Sequence, residues 1–212
     1  MFEEDFIPLS PVNFFQINAP CSQTNSVLTE KNYSHYLLPN TSHLCNDYQF
    51  AEVALGWHSE GVEAFVQVKQ AFHQVYYPEV SRGDSIELFF DTRDVKTSGW
   101  NTRFCHHFFF LPEAIDGHQA GEITKFRTED VHELCNAKEL KVKSQIKQNR
   151  YLMQISIPQQ CLYGYDPAQF DRLGFTYRVN RSSGKPQHFS VVTDEFQMEQ
   201  QPSLWSTLTL IK

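Results

Sequence analysis

From residue 51 onward, apolar and polar residues alternate with a period of two in one short run after another. Ala51, Val53, Leu55 and Trp57 share one side of the first run, and Ser59, Glu60 and Gly61 then supply turn chemistry. Val62, Ala64, Val66 and Val68 alternate with Glu63, Phe65, Gln67 and Lys69, so residues 51–69 predict a hairpin. Arg82, Gly83 and Asp84 form a turn signal before Ser85 to Asp91, whose Ile86, Leu88 and Phe90 side is wholly apolar. Another strand is predicted from Phe104 to Leu111 and ends at Pro112, which has no N–H to give a ladder. Further strands are predicted at Tyr151 to Ile157, Leu173 to Asn180, His188 to Thr193 and Leu204 to Ile211.

Between these runs the pattern breaks. Residues 1–50 are rich in Pro, Asn, Ser and Thr, with Val12 to Ile17 and Tyr33 to Leu38 as their candidate strands. Residues 113–139 are charged and broken, predicting a surface excursion with a short helix around Asp130 to Cys135. A helical turn is expected through Gln160 and Leu162, and Asp166 followed by Pro167 is a second helix-start signal. About nine short strands without regular intervening helices predict an all-β fold. The expected form is an antiparallel β-sandwich, jelly-roll-like, with one or two short helices in loops. Residues 1–50 would pack as a loop-rich segment on the sandwich formed by residues 51–212.

Composition narrows the function classes. The 212 residues carry 18 Lys and Arg against 25 Asp and Glu, a net charge of −7. Such a surface repels nucleic acid and anionic membranes, and no basic cluster offsets it. No apolar run approaches the roughly eighteen residues of a membrane span. Met1 to Asp5 has neither a basic nor an apolar leader character, and the five cysteines form no CxxC pair. The expectation is therefore a cytoplasmic protein with reduced thiols.

The sequence has no GxSxG, HExxH, GxGxxG, Walker or EF-hand pattern, so the expectation is a protein that is not an enzyme. Adjacent His106 and His107 would point to opposite faces of a strand and could not chelate one ion, which makes them structural; metal ligation is otherwise left open. Asp84, Glu87, Asp91 and Asp94 are carboxylates of the kind that acid–base hydrolysis needs in pairs, yet on strands and turns they more often bind solvent or calcium. More informative is the side opposite the apolar stripes. If Ile86/Leu88/Phe90, Phe104/His106/Phe108 and Phe175/Tyr177/Val179 face the core, then Glu87, Phe89, His107, Phe109, Thr176, Arg178 and Asn180 share the other side. Rings mixed with planar hydrogen-bonding groups suit a sugar, which presents flat C–H faces and a rim of hydroxyls. The alternative is a sheet face covered by loops.

At these residues the chain resembles the family nine carbohydrate-binding modules, β-sandwich domains of the wider DOMON-like group. The similar stretches are Val62 to Val68, Gly83 to Asp91, Tyr151 to Pro158, Leu173 to Asn180 and Leu208 to Lys212, in order and spacing over roughly residues 50–212. The resemblance implies non-catalytic binding of a terminal sugar, sometimes with structural calcium. Glu87 matches a sugar-contacting glutamate by position; His107 falls near a binding arginine and Arg178 near a binding glutamine. The family's two clamping tryptophans would fall near Ser81 and between Phe196 and Glu199, where this chain has none. The candidate ligand-binding set is therefore Glu87 and Asn180 for hydroxyl hydrogen bonds, His107 and Arg178 for orientation, and Trp100 or Phe196 for stacking. Trp57 and Trp205 are expected in the core. Two further readings are a haem- or redox-linked DOMON-like domain, with Met153 or Met198 as the Met ligand, and a protein-interaction sandwich that has lost its sugar. The second leaves room for a protein partner or a homo-oligomer.

Overall fold

A computed structural model of the chain describes residues 17–45, 48–190 and 197–212. Eleven strands follow in chain order: β1 (Asn18–Gln23), β2 (Ala51–His58), β3 (Gly61–Val68), β4 (Ser85–Asp91), β5 (Cys105–Ile115), β6 (His118–Glu122), β7 (Lys141–Lys147), β8 (Arg150–Pro158), β9 (Arg172–Asn180), β10 (Gln187–His188) and β11 (Ser206–Ile211). They form one sheet in the order β6-β5-β4-β9-β11-β1-β2-β3-β8-β7, with β10 beside β9. Pairing is antiparallel except at β1, which runs parallel to both β11 and β2. The expected antiparallel pairing therefore gives way to a mixed sheet. Its two ends approach one another, where Gln119 Nε2 on β6 donates to Ser144 Oγ on β7 at 3.4 Å, so the sheet is nearly closed.

Closure follows from the alternation. One side of β2, β3 and β8 and one side of β4, β5 and β9 bury their apolar residues in a single cluster that includes Val53, Val66, Ile86, Leu88, Phe90, Met153, Ile155, Phe175 and Val179. Phe90 lies at its centre, with ring centroids 5.1 Å from Phe175 and 6.3 Å from Phe108. Removing such a ring costs about 3–5 kcal/mol, because the cavity left behind collapses only in part. Trp57 is buried in the same cluster. No helix among the described residues is long and apolar enough to cross a membrane.

Local chemistry overrides the predicted pattern in several places. Tyr33–Tyr36 is a 3₁₀ turn rather than a strand, because the Asn32 carboxamide accepts from the backbone N–H of Thr29 at 2.7 Å. Only Leu37 bridges to the sheet, at Ala54. The candidate strand from Val12 to Ile17 falls, up to residue 16, outside the described residues. β5 runs past Pro112, since its pairing with β6 shifts register between Phe110 and Ile115 and leaves no ladder bond for the proline to interrupt. Residues 130–136 hold no helix. That segment is tied down instead by a disulfide between Cys135 and Cys161, which corrects the expectation of five reduced thiols. Cys21 and Cys105 are free and buried. Asp166 closes one turn by accepting from the backbone N–H of Ala168 and Gln169, and no helix continues it.

Candidate functional site

With Ile86, Leu88 and Phe90 committed to the core, alternation turns Glu87 and Phe89 to the outer side of β4. Pairing sets Glu87 opposite Arg178 of β9, Phe89 opposite His107 of β5, and Ser85 opposite Asn180. The predicted residues Glu87, His107, Arg178 and Asn180 thus come together. Arg178 donates through Nε to Glu87 Oε1 at 2.8 Å and through Nη2 to Oε2 at 2.9 Å. Asn180 Nδ2 donates to Oε1 at 2.6 Å, and His107 Nε2 lies 2.6 Å from Oε2. Each carboxylate oxygen therefore accepts twice, which fills its lone pairs.

Electrostatics fix the ionisation. Burial alone would raise the Glu87 carboxyl, but the His107 hydrogen bond and the Arg178 charge outweigh it and hold the group at about 2. Glu87 is thus an acceptor only, so His107 donates to it through Nε2, and Nδ1 has no partner among the described residues. Burial would lower the Arg178 guanidinium, yet Glu87 and Glu199 raise it. Its Nη1 donates to Glu199 Oε1 at 2.5 Å, and two of its five N–H donors remain unused among the described residues. His107 in turn stacks on Phe89 with centroids 4.1 Å apart.

Three segments, the last two held together as one wall, enclose this patch in a cleft of about 420 Å³, lined by Ser81, Glu87, His107, Lys125, Arg178 and Glu199 among others. The first wall, residues 78–81, is anchored where Ser85 Oγ donates to the Val80 carbonyl at 2.7 Å. Gly83 is required there, because a Cβ would meet the Gln74 carbonyl at 2.6 Å. The second wall is held by Asn101, whose Nδ2 donates to the carbonyls of Glu199 at 2.8 Å and Lys125 at 2.9 Å. Met198 and Trp205 seal its far side against Phe89, with Trp205 Nε1 donating to the Met198 carbonyl at 2.9 Å.

The stacking candidates fare differently. Trp100 is 48% exposed and does not line the cleft, although its neighbour Asn101 pins the wall. Phe196 lies outside the described residues. No Phe, Tyr or Trp ring lines the cleft among the described residues. Glu199 and Lys125 belong to the cleft without having been singled out in the sequence. Glu199 sits in a glutamine-rich loop with no periodicity, and Lys125 just follows a short edge strand, so neither carries a pattern signal.

The other acidic candidates are structural fasteners. Asp84 accepts from the backbone N–H of His73 at 2.6 Å and of Ser182 at 3.0 Å; Asp91 accepts from those of Arg93 and Val95 at 2.9 and 2.7 Å. Asp94 Oδ2 accepts from Thr207 Oγ1 at 2.7 Å. Met153 lies in the main core, and Met198 accepts a 3.8 Å contact from Thr176 Oγ1. His106 points away from His107, as alternation predicts, and meets Glu122.

No protein-family model matches the chain, and no curated protein matches it. Solved structures do. A family nine carbohydrate-binding module from Caldicellulosiruptor kristjanssonii in complex with cellotriose superposes with a TM-score of 0.64 at 13% identity, covering 92% of this chain and 93% of that one. The glucose complex of such a module from the same organism gives 0.61 at 13% identity, covering 92% and 95%. A Bacteroides uniformis protein described as a candidate carbohydrate-binding protein gives 0.53 at 9% identity, covering 93% and 99%. At such identities the shared property is the architecture, and the chain has the fold of the family nine carbohydrate-binding modules.

Proposed function

We propose that this chain is a non-catalytic module that binds a sugar in the cleft over Glu87, His107 and Arg178. The observation that carries the reading is the convergence of these side chains, across three strands, at the floor of a 420 Å³ cleft. Glu87, with its lone pairs filled, acts as the fixed hub that orients the other groups. The ligand-facing hydrogen bonds then fall to Arg178, His107 Nδ1, Glu199 and Lys125, whose donors and acceptors match a rim of hydroxyls. Pro78, Val80 and Ile123 line the same cleft and offer apolar contact to a C–H face.

Without a tryptophan clamp the affinity is modest. A buried aromatic platform contributes roughly 4–6 kcal/mol gross, and one-sided stacking a fraction of that. A dissociation constant in the millimolar range, about 4 kcal/mol, is expected. The Cys135–Cys161 disulfide supports an oxidising compartment over the cytoplasm for this function. Calorimetric titration with glucose and cellotriose tests the reading. The unmodified chain should bind in the millimolar range, and Glu199→Gln with Lys125→Ala, both at the cleft rim, should weaken binding about tenfold. Absence of binding at millimolar sugar overturns it.

A further inference from the structure

His106, Glu122 and His132 form a second polar cluster on the side of β5 away from the cleft. His106 Nδ1 lies 2.9 Å and His132 Nε2 2.8 Å from Glu122 Oε1, and the three donor atoms fall within 4.8 Å of one another. The side chains of His106 and Glu122 are 0% exposed and that of His132 is 2% exposed. Burial this complete for a carboxylate and two imidazoles is costly unless the donors are matched or hold an ion.

The outer nitrogens of both rings face backbone carbonyls. His132 Nδ1 lies 2.7 Å from the Arg103 carbonyl, and His106 Nε2 lies 3.5 Å from that of Tyr163. This is the outer-shell arrangement that fixes the tautomer of metal-bound histidine and aims the other nitrogen at the ion. It also creates a demand. In the neutral ring, with Nδ1–H given to Arg103, His132 presents a lone pair to an anionic oxygen at 2.8 Å, a contact that either a proton on Nε2 or a cation between the two atoms relieves. Glu122 is oriented independently, accepting from Thr124 Oγ1 and the Cys135 N–H, each at 2.7 Å. The disulfide joins the segment bearing His132 to the one bearing Tyr163, so the Tyr163 carbonyl and the loop ligand share one cross-linked frame.

We propose that His106 Nδ1, Glu122 and His132 Nε2 bind a divalent transition-metal ion of the zinc class. Zinc sits about 2.0–2.2 Å from nitrogen and oxygen ligands, so tetrahedral donors lie about 3.3 Å apart. The observed 2.8 and 2.9 Å separations need to open by only about half an ångström. Two imidazoles and one carboxylate suit zinc, whereas calcium takes oxygen ligands, so this site differs in kind from a structural calcium site. Three protein donors leave a fourth position for water.

The test uses the full chain, stripped with a chelator and titrated with zinc chloride by calorimetry. One zinc per chain should bind, with a dissociation constant below about 1 µM and a raised melting temperature. His132→Gln should weaken binding at least tenfold, as loss of even an outer-shell partner does, while His35→Gln on the exposed 3₁₀ turn should change nothing. In the unmodified chain, imidazole nitrogen NMR should show zinc-induced shifts at His106 Nδ1 and His132 Nε2. Lack of one-to-one binding at micromolar zinc, equal binding by His132→Gln, or zinc that leaves both nitrogens unmoved would overturn the assignment.

Discussion

Two adjacent histidines on β5 each meet a buried glutamate, and the two pairs end in opposite circumstances. On one side His107 reaches Glu87, a guanidinium supplies the compensating charge, and the cluster opens into a cleft. On the other, His106 reaches Glu122, a second imidazole from a distant loop takes the guanidinium's place, and the cluster is sealed. In the open cluster the Glu87 carboxyl is held at about 2, burial raising it and its hydrogen-bonded neighbours lowering it further. The lesson is that a buried carboxylate–imidazole pair does not by itself define a function. What completes the pair, and whether solvent reaches it, separates a polar binding surface from an enclosed donor set.

The comparison can be broken most severely at the carboxylate of the open cluster. Glu87→Ala should lower stability by about 3–5 kcal/mol, read by urea denaturation, because it leaves Arg178 charged, largely buried and without its main partner. Cutting the brace behind the sealed cluster should cost slightly less. Cys161→Ser opens a link across 26 residues and should cost about 3–4 kcal/mol by thermal or urea unfolding.

Acid sharpens the contrast. Glu87 has a folded-state pKa of about 2 against an ordinary 4.5, so between those values the unfolded chain binds the extra proton. Its contribution is fully present above pH 4.5 and is lost as pH falls towards 2, about 3 kcal/mol in all. Urea midpoints across that window should decline, and part of the decline should vanish in Glu87→Gln. The smallest stability effect should come from Glu199→Gln. Its side chain is 29% exposed, so loss of the pairing with Arg178 should cost under about 1 kcal/mol while sugar affinity still falls.

Strands were legible in the sequence wherever both partners alternate. β2, β3 and β4 fall where Ala51 to Trp57, Val62 to Val68 and Ser85 to Asp91 predict them. β7 escaped because Lys141, Lys143 and Lys147 leave Val142 and Ile146 as its only large apolar residues; charge of this kind protects an edge and erases the strand signal. β1 escaped because Pro20 stands inside it, in parallel pairing that local patterning does not reveal. For the cleft, alternation sufficed to bring Glu87, His107, Arg178 and Asn180 to one side. It could not show that Glu87 would be saturated by its neighbours, since that depends on side-chain length across the ladder. Nor could it find Glu199, Lys125 or His132, which arrive from irregular loops whose positions are set by Asn101, by backbone carbonyls and by a disulfide.

The most direct measurement is a titration of glucose into the ¹⁵N-labelled chain, followed by amide and guanidinium NMR. Saturable shifts in the millimolar range, concentrated at Ser81, His107, Lys125, Arg178 and Glu199, are the predicted result. Spectra that stay unchanged, or shifts confined to residues remote from this cleft, would contradict it.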